Sequence, residues 1–238
     1  MKIEKGKTTL ILGIETATLS GGASIVADGE ILGVVKFHST KTHSRRQMSG
    51  IDFLFKELEI EVNDLSGIAV SIGPGSFTGV RIGLSIAKGL AYGSKKPLIG
   101  VSALEALALR IAEPNFVLSP IIDAYRGEVF AQVFTYDYQK KMAFPYKESQ
   151  PFIGKIEEWL LQIPENSILA GNGVSRYYDV IISHPGKSFR FAPPNRFYLS
   201  PEEIALIGFY RFLKGEFADP ALIEPIYLRR VDAVPPRK

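Results

Sequence analysis

Two carboxylates stand where apolar runs could present them to a ligand. Glu15 follows the run 8–14 in the phrase Ile14-Glu15-Thr16, and Asp123 ends the run 116–123 in Ile122-Asp123-Ala124. A Gly-x-Gly turn comes 58 and 48 residues later, as Gly73-Pro74-Gly75 and Gly171-Asn172-Gly173. Carboxylates suit hard cations, and glycine turns at helix starts suit phosphate. The longest signal is Ser71-Ile72-Gly73-Pro74-Gly75-Ser76-Phe77-Thr78-Gly79-Val80-Arg81-Ile82-Gly83. A strand leads in and a helix leads out, so unpaired N–H groups would face an anion. Ser76 or Thr78 would cap that helix. The known phosphate patterns do not fit. No Lys follows Gly79 as a P-loop requires, and the third glycine is one place late for a dinucleotide fingerprint. Pro74 and Thr78 hold the places where a nucleophile elbow around Ser76 needs glycine. A turn kept small for close backbone approach explains the same residues, and the sequence leaves both readings open.

Other chemistry finds less support. The chain has three histidines, His38, His43 and His184, and no cysteine. His38 and His43 straddle a strand–helix junction, whereas a metal pair on one helix repeats at about one turn. No metal site is expected. Ser76 with His43 is the one tempting nucleophile–base pair, and Ser76 is better explained as a cap. No catalytic residue is assigned. A net charge of +3, from 28 basic and 25 acidic residues, is too small for a dedicated nucleic-acid binder. Arg229, Arg230, Arg237 and Lys238 read as a solvated tail. The absence of cysteine excludes a disulfide framework and a thiol nucleophile. No apolar run reaches the roughly 18 residues of a membrane helix, and the first run is too short for a signal peptide. A cytoplasmic protein is expected.

The elements that would position these groups read twice in one order. The first half gives strands over 8–14, 23–27 and 30–37, with Asp28-Gly29 as a hairpin signal. A helix over 44–58, a strand over 67–72, a helix over 79–92, a strand over 98–101 and a helix over 102–112 follow. The second half gives strands over 116–123, 128–136 and 140–144, a helix over 154–161, a strand over 167–170, a helix over 174–182, a strand over 188–191 and a helix over 201–213. Ser102 with Glu105, and Ser200 with Glu203, have capping-box spacing. The pattern predicts an α/β protein of two ribonuclease-H-like lobes, the actin-like ATPase architecture, each lobe a mixed sheet with flanking helices. The lobes divide near residue 112, as 1–112 and 113–238, with the last helix and tail returning to the first.

Two helices of the first half are more apolar than one sheet requires. In the helix over 79–92, apolar and small residues cover an arc of about 200°, where one sheet needs about 100°. Gly79, Gly83 and Ala87 form a small side that invites close packing. In the helix over 44–58, the core stripe Met48, Ile51, Leu54, Phe55 and Leu58 leaves Phe53 opposite, beside Arg46, Ser49, Gly50 and Glu57. A helix–helix protein interface is therefore expected at Arg46, Gly50, Phe53, Glu57, Gly79, Val80, Gly83, Leu84 and Ala87. Cover by the second lobe or the C-terminal segment is the plainer alternative.

These phrases together resemble the TsaB (YeaZ) family of tRNA threonylcarbamoyladenosine biosynthesis proteins. The resemblance rests on Leu12-Gly13-Ile14-Glu15-Thr16-Ala17-Thr18, Thr42-His43-Ser44, the phrase Gly73–Leu84, Gly100-Val101-Ser102-Ala103-Leu104-Glu105, Asp123-Ala124-Tyr125-Arg126-Gly127-Glu128 and Tyr227-Leu228-Arg229. It implies an actin-like fold without catalysis of its own. It also implies pairing through the N-terminal lobe with TsaD, the subunit that transfers the threonylcarbamoyl group to adenosine 37 of tRNAs. An ATPase subunit, TsaE, would join, tRNA would be met only through the complex, and the chain could also form a homodimer. Glu15 stands where the family has Asp, and Tyr125 stands at its second Arg-type position; the longer Glu15 weakens the case for a phosphate or magnesium site. No tightly bound cofactor is expected. Weak ATP and magnesium binding stays open at a vestigial site of Glu15, Thr16, Gly73, Gly75 and Asp123. The competing reading is an actin-like ATPase or small-molecule kinase with a nucleotide between the lobes.

Overall fold

The computed structural model describes residues 3, 4, 6–38 and 43–228, with only the backbone path for 43–45. The first half contains β1 (Leu10–Glu15), β2 (Ser20–Ala27), β3 (Glu30–His38), α1 (His43–Glu57), β4 (Gly67–Ser71), α2 (Phe77–Ser94), β5 (Leu98–Val101) and α3 (Ala103–Arg110). Its sheet has the order β3-β2-β1-β4-β5. β1, β2 and β3 pair antiparallel, and β4 and β5 run parallel to β1. Asp28 and Gly29 both take positive φ at the hairpin, as the dipeptide predicts.

The second half contains β6 (Val117–Asp123), β7 (Glu128–Ala131), β8 (Phe134–Asp137), β9 (Met142–Pro145), β10 (Phe152–Lys155), α4 (Ile156–Gln162), β11 (Ile168–Ala170), α5 (Asn172–Arg176), α6 (Tyr178–Ile182), β12 (Arg190–Phe191) and α7 (Pro201–Leu213). β10-β7-β6-β11-β12 repeats the order of the first sheet, and β8 pairs with both β6 and β9. The predicted two-lobed mixed α/β architecture is therefore present. The single strand expected over 128–136 is broken after Ala131, and the Val133 N–H donates to Ser149 Oγ instead of continuing the ladder. β10 was not expected; Gly154 reads as a helix start but pairs with Val129 of β7. The helix expected over 174–182 is interrupted at Tyr177, whose φ of −111° leaves the helical range.

Alternation along β1 assigns the faces. Leu10, Leu12 and Ile14 pack with Ile51 and Leu54 of α1 and Leu84 and Ala87 of α2. Ile11 points the other way, toward Leu104 of α3 and Ile204, Ala205 and Ile207 of α7. That second cluster continues through Leu107 to Leu118 and Phe134, so α3 lies between the two sheets. α7 presses on the first sheet; a Cβ at Gly13 would lie 2.6 Å from the Ala205 nitrogen. Both predicted capping boxes lack their serine half, and their glutamates make longer-range pairs. Neither the Ser102 nor the Ser200 side chain caps its helix. Glu105 instead receives Arg211 Nη2 at 2.9 and 2.7 Å, and Glu203 receives Arg110 Nη1 at 2.9 Å. No helix among the described residues is long and apolar enough to cross a membrane.

Candidate functional site

The glycine turn is stitched to the loop that follows β1. Ser76 N–H donates to the Ala17 carbonyl at 2.7 Å, and Thr16 Oγ1 donates to the Gly79 carbonyl at 2.7 Å. A Cβ at Gly75 would collide with the Ala17 carbonyl oxygen, one at Gly79 with the Thr16 carbonyl oxygen, and one at Gly83 with Thr16 Oγ1. Close backbone approach thus accounts for these glycines. Gly171 and Gly173 likewise give way to Ile121 of β6. Ser76 caps α2, its Oγ accepting the Gly79 N–H at 3.2 Å. Gly73 has a φ of +86° and its carbonyl accepts the Ala103 N–H at 2.7 Å, which ties the turn to the start of α3.

Glu15 is wholly buried at the end of β1. Its Oε1 accepts the Ala17 N–H at 2.5 Å. Burial pushes its pKa from 4.5 up to about 7, against the opposing pull of the Ser71 hydroxyl, the Ala17 and Thr18 N–H groups and the Lys36 charge. The loop donors that would face a phosphate are therefore engaged by the chain's own carboxylate. Asp123 has separate partners. Its Oδ1 accepts the Tyr125 N–H at 3.0 Å, and Arg176 Nε lies 3.5 Å from its Oδ2. Between the halves, the cavity bounded by Thr18, Leu19, Leu107, Ile122 and Leu199 measures about 20 Å³, the room of about one water and far less than a nucleotide. His38 Nδ1 lies 2.9 Å from Ser20 Oγ, and no group of three metal-ligating side chains occurs among the described residues. The His43 side chain and Arg229, Arg230, Arg237 and Lys238 lie outside the described residues.

A larger cleft of about 420 Å³ opens where three segments meet: the start of α2 at Ser76–Thr78, the β6–β7 turn at Ala124–Arg126, and the segment 225–228. The Arg81 guanidinium stacks 3.7 Å from the Phe77 ring centroid and donates to Tyr227 Oη at 3.1 Å. Tyr125 and Arg126 hold φ values of 59° and 55°, a conformation that costs non-glycine residues about 1 kcal/mol or more each. The sequence phrases at 73–84, 123–128 and 227–228 are thus neighbours in space.

The expected partner surface is corrected on α2. Gly79, Val80, Gly83, Leu84 and Ala87 are buried within this chain, against the sheet and Thr16, so the close-packing neighbour of the small side is the chain itself. Gly50 is also buried, with Val35 and Phe37 of β3 in contact range of a Cβ there. Met48, placed in the core stripe, is 44% exposed, and Gln47 takes the inner position, donating to the Gly22 carbonyl at 2.6 Å. Phe53, at 54% exposure, and Glu57 are on the surface, and Arg46 is half-buried.

The family model described as TsaD, tRNA N6-adenosine threonylcarbamoyltransferase, matches residues 23–206. Curated tRNA N6-adenosine threonylcarbamoyltransferases match only in part: that of Prosthecochloris aestuarii is 36% identical over 40% of this chain and 32% of its own length. The tRNA threonylcarbamoyladenosine biosynthesis protein TsaB of Bacillus subtilis is 30% identical over 94% of this chain and 95% of its own. The chain belongs to the TsaB family. The TsaB fold recurs in YeaZ from Pseudomonas aeruginosa, with a TM-score of 0.77 at 22% identity over 92% of this chain and all of that one. An activator of 2-hydroxyisocaproyl-CoA dehydratase from Clostridium difficile, solved with bound ADPNP, shares the broader architecture at a TM-score of 0.50, 10% identity, 89% of this chain and 99% of that one.

In this TsaB-family chain the outward flank of α2 was missed by sequence reasoning. Ile82, Ile86, Gly89 and Gly93 recur at helical spacing and share one side of the helix. Ile82 and Ile86 are half-buried and both glycines are exposed. A Cβ at Gly89 or Gly93 would meet no described residue within 4 Å. The signal was the glycine pair itself, masked by the glycines nearer the turn.

Proposed function

We propose that this chain is a non-catalytic subunit of threonylcarbamoyladenosine synthesis that holds TsaD through the exposed flank of α1 and α2. The carrying observation is that Gly89 and Gly93 occupy a helix where nothing among the described residues requires glycine. Each glycine costs about 1 kcal/mol relative to alanine in a helix interior. A partner helix packed closely against that flank explains them. Phe53, Glu57 and Arg46 on α1 would extend the contact. TsaE and tRNA would reach the chain through this complex, and a homodimer would use the same flank in the absence of TsaD. The chain would carry no tightly bound nucleotide and act within the cytoplasm.

Reconstitution tests this. Omitting the chain from purified partners should lower tRNA threonylcarbamoylation severely, and the isolated chain should hydrolyse ATP no faster than its Glu15→Ala variant. Phe53→Glu and Gly89→Leu should each weaken TsaD binding by tenfold or more while leaving the fold intact. Normal TsaD binding by both variants would remove the interface from α1 and α2.

A further inference from the structure

The second half carries a basic face that the contact with TsaD does not use. Residues 166–200 contain Arg176, Lys187, Arg190 and Arg196 against the single acid Asp179, a net of +3 that equals the net charge of the whole chain. The near-neutral total therefore hides a local excess. Two of these cations are engaged inside the chain. Lys187 Nζ donates to the carbonyls of Leu160, Leu161 and Ile163 at the end of α4, and Arg176 Nε lies 3.5 Å from Asp123. Arg190 and Arg196 are both exposed, and neither pairs with an acid among the described residues. Arg190 instead stacks 4.4 Å from the Phe116 ring centroid, which holds its guanidinium flat.

Aromatic rings stand beside these cations. Tyr178 of α6 and Phe191 of β12 are 47% and 37% exposed, with ring centroids 5.4 Å apart. Arg190, Phe191 and Arg196 line one cleft of about 380 Å³ with Ile111 and Pro193, and Glu113 is the one acid on its wall. That volume lies in the range of sites that take small molecules. α6 packs on α4 and α5, and β12 pairs with β11, so the face is carried by second-half elements. The flank assigned to TsaD is on α1 and α2 of the first half. Arginines interleaved with exposed rings suit single-stranded nucleic acid, because the cations meet phosphates while the rings stack on bases. An added peptide strand fits less well. β12 is only two residues long, and Pro193 and Pro194 after it have no N–H to donate. We infer that the face centred on Arg190, Phe191 and Arg196 contacts single-stranded RNA, as a weak site that acts beside TsaD in the complex. That the RNA is tRNA rests on the threonylcarbamoyladenosine reading above; the RNA contact itself does not.

The test titrates a labelled tRNA transcript, and an RNA duplex of the same length, with the full chain at about 50 mM salt. The transcript should bind more tightly than the duplex. Arg190→Glu with Arg196→Glu should weaken transcript binding fivefold or more, and should flatten the log–log salt dependence by about 0.7 for each arginine. Tyr178→Ala with Phe191→Ala should weaken it about threefold or more at an unchanged salt slope. Lys140→Glu with Lys141→Glu, at exposed lysines on the β8–β9 turn, should change it less than twofold. Arg196→Gln alone gives a second reading should a double variant not fold, and it too should flatten the slope. Binding that is absent from the wild type, unchanged in the arginine and aromatic variants, or weakened equally by the lysine control overturns the proposal. An arginine variant that keeps tRNA binding but loses TsaD binding gives the face to a protein and overturns it as well. In the reconstituted complex the arginine variant should raise the KM for tRNA with kcat little changed and TsaD binding intact. Phe53→Glu tests the α1 and α2 contact separately through TsaD binding, so either reading can fail while the other stands.

Discussion

A methyl group added at Gly79 or Gly83 would be driven into Thr16, whereas one added at Gly89 or Gly93 would enter open space. The four glycines sit on one helix yet should respond in opposite ways. Gly83→Ala should cost about 1–3 kcal/mol through overpacking. Gly89→Ala and Gly93→Ala should each stabilise the isolated chain by about 0.5–1 kcal/mol. Urea denaturation of the three variants measures this, and a destabilised Gly89→Ala would mean that glycine has a role inside the chain. Phe53→Glu should change stability by no more than about 0.5 kcal/mol, because the ring is 54% exposed. Ionised Glu15 costs the fold on the order of 3 kcal/mol by its shift from 4.5 to about 7. Glu15→Gln should therefore be more stable than the wild type at pH 8 and gain little at pH 4.5.

Among the elements, α7 is held to the first half by side chains the local pattern assigned elsewhere. Arg211 reaches both oxygens of Glu105 on α3 and also the Gly100 carbonyl at β5. The pair is largely shielded, with 24% and 11% of the two side chains exposed. Arg211→Met should cost about 2–3 kcal/mol, less than for a fully buried pair because of that residual exposure. Most of the cost arises from leaving Glu105 buried without its partner. A double-mutant cycle with Glu105→Leu should recover part of the loss; additive effects would show that the two side chains act independently.

At the scale of the whole molecule, the first sheet is closed on one face only by helices from its own half and on the other by α3 with α7. A fragment ending at residue 199 lacks α7 and would expose the Ile11, Val26 and Ala69 face to water. It should fail to unfold cooperatively and should be rapidly cleaved by trypsin, whereas the full chain should melt in one transition. Cooperative melting by the fragment would show that the first half folds alone. The net charge of +3 leads to a further expectation: the isolated chain should bind tRNA weakly, and 200 mM salt (roughly physiological strength or slightly above) should abolish that binding. Filter-binding titrations against salt measure it, and tight binding that survives salt would contradict a purely complex-borne contact with RNA.

The sequence by itself determined the order of elements in the first half, the hairpin at Asp28-Gly29, the bounds of the strand Leu98–Val101 and the helix Pro201–Leu213, and the family. Those features follow from local periodicity, turn chemistry and phrases that stay contiguous along the chain. It also marked the turn at 73–79 as special but could not say whether its glycines receive a phosphate or a backbone. Only the tertiary structure decided that, because the occupant, the loop 16–18, lies about sixty residues away in the chain. The same limit governed the partner surface. Periodicity orders residues around a helix axis but does not say which side the rest of the chain has already covered. Thr16 covers Gly79 and Gly83, and nothing among the described residues covers Gly89 and Gly93.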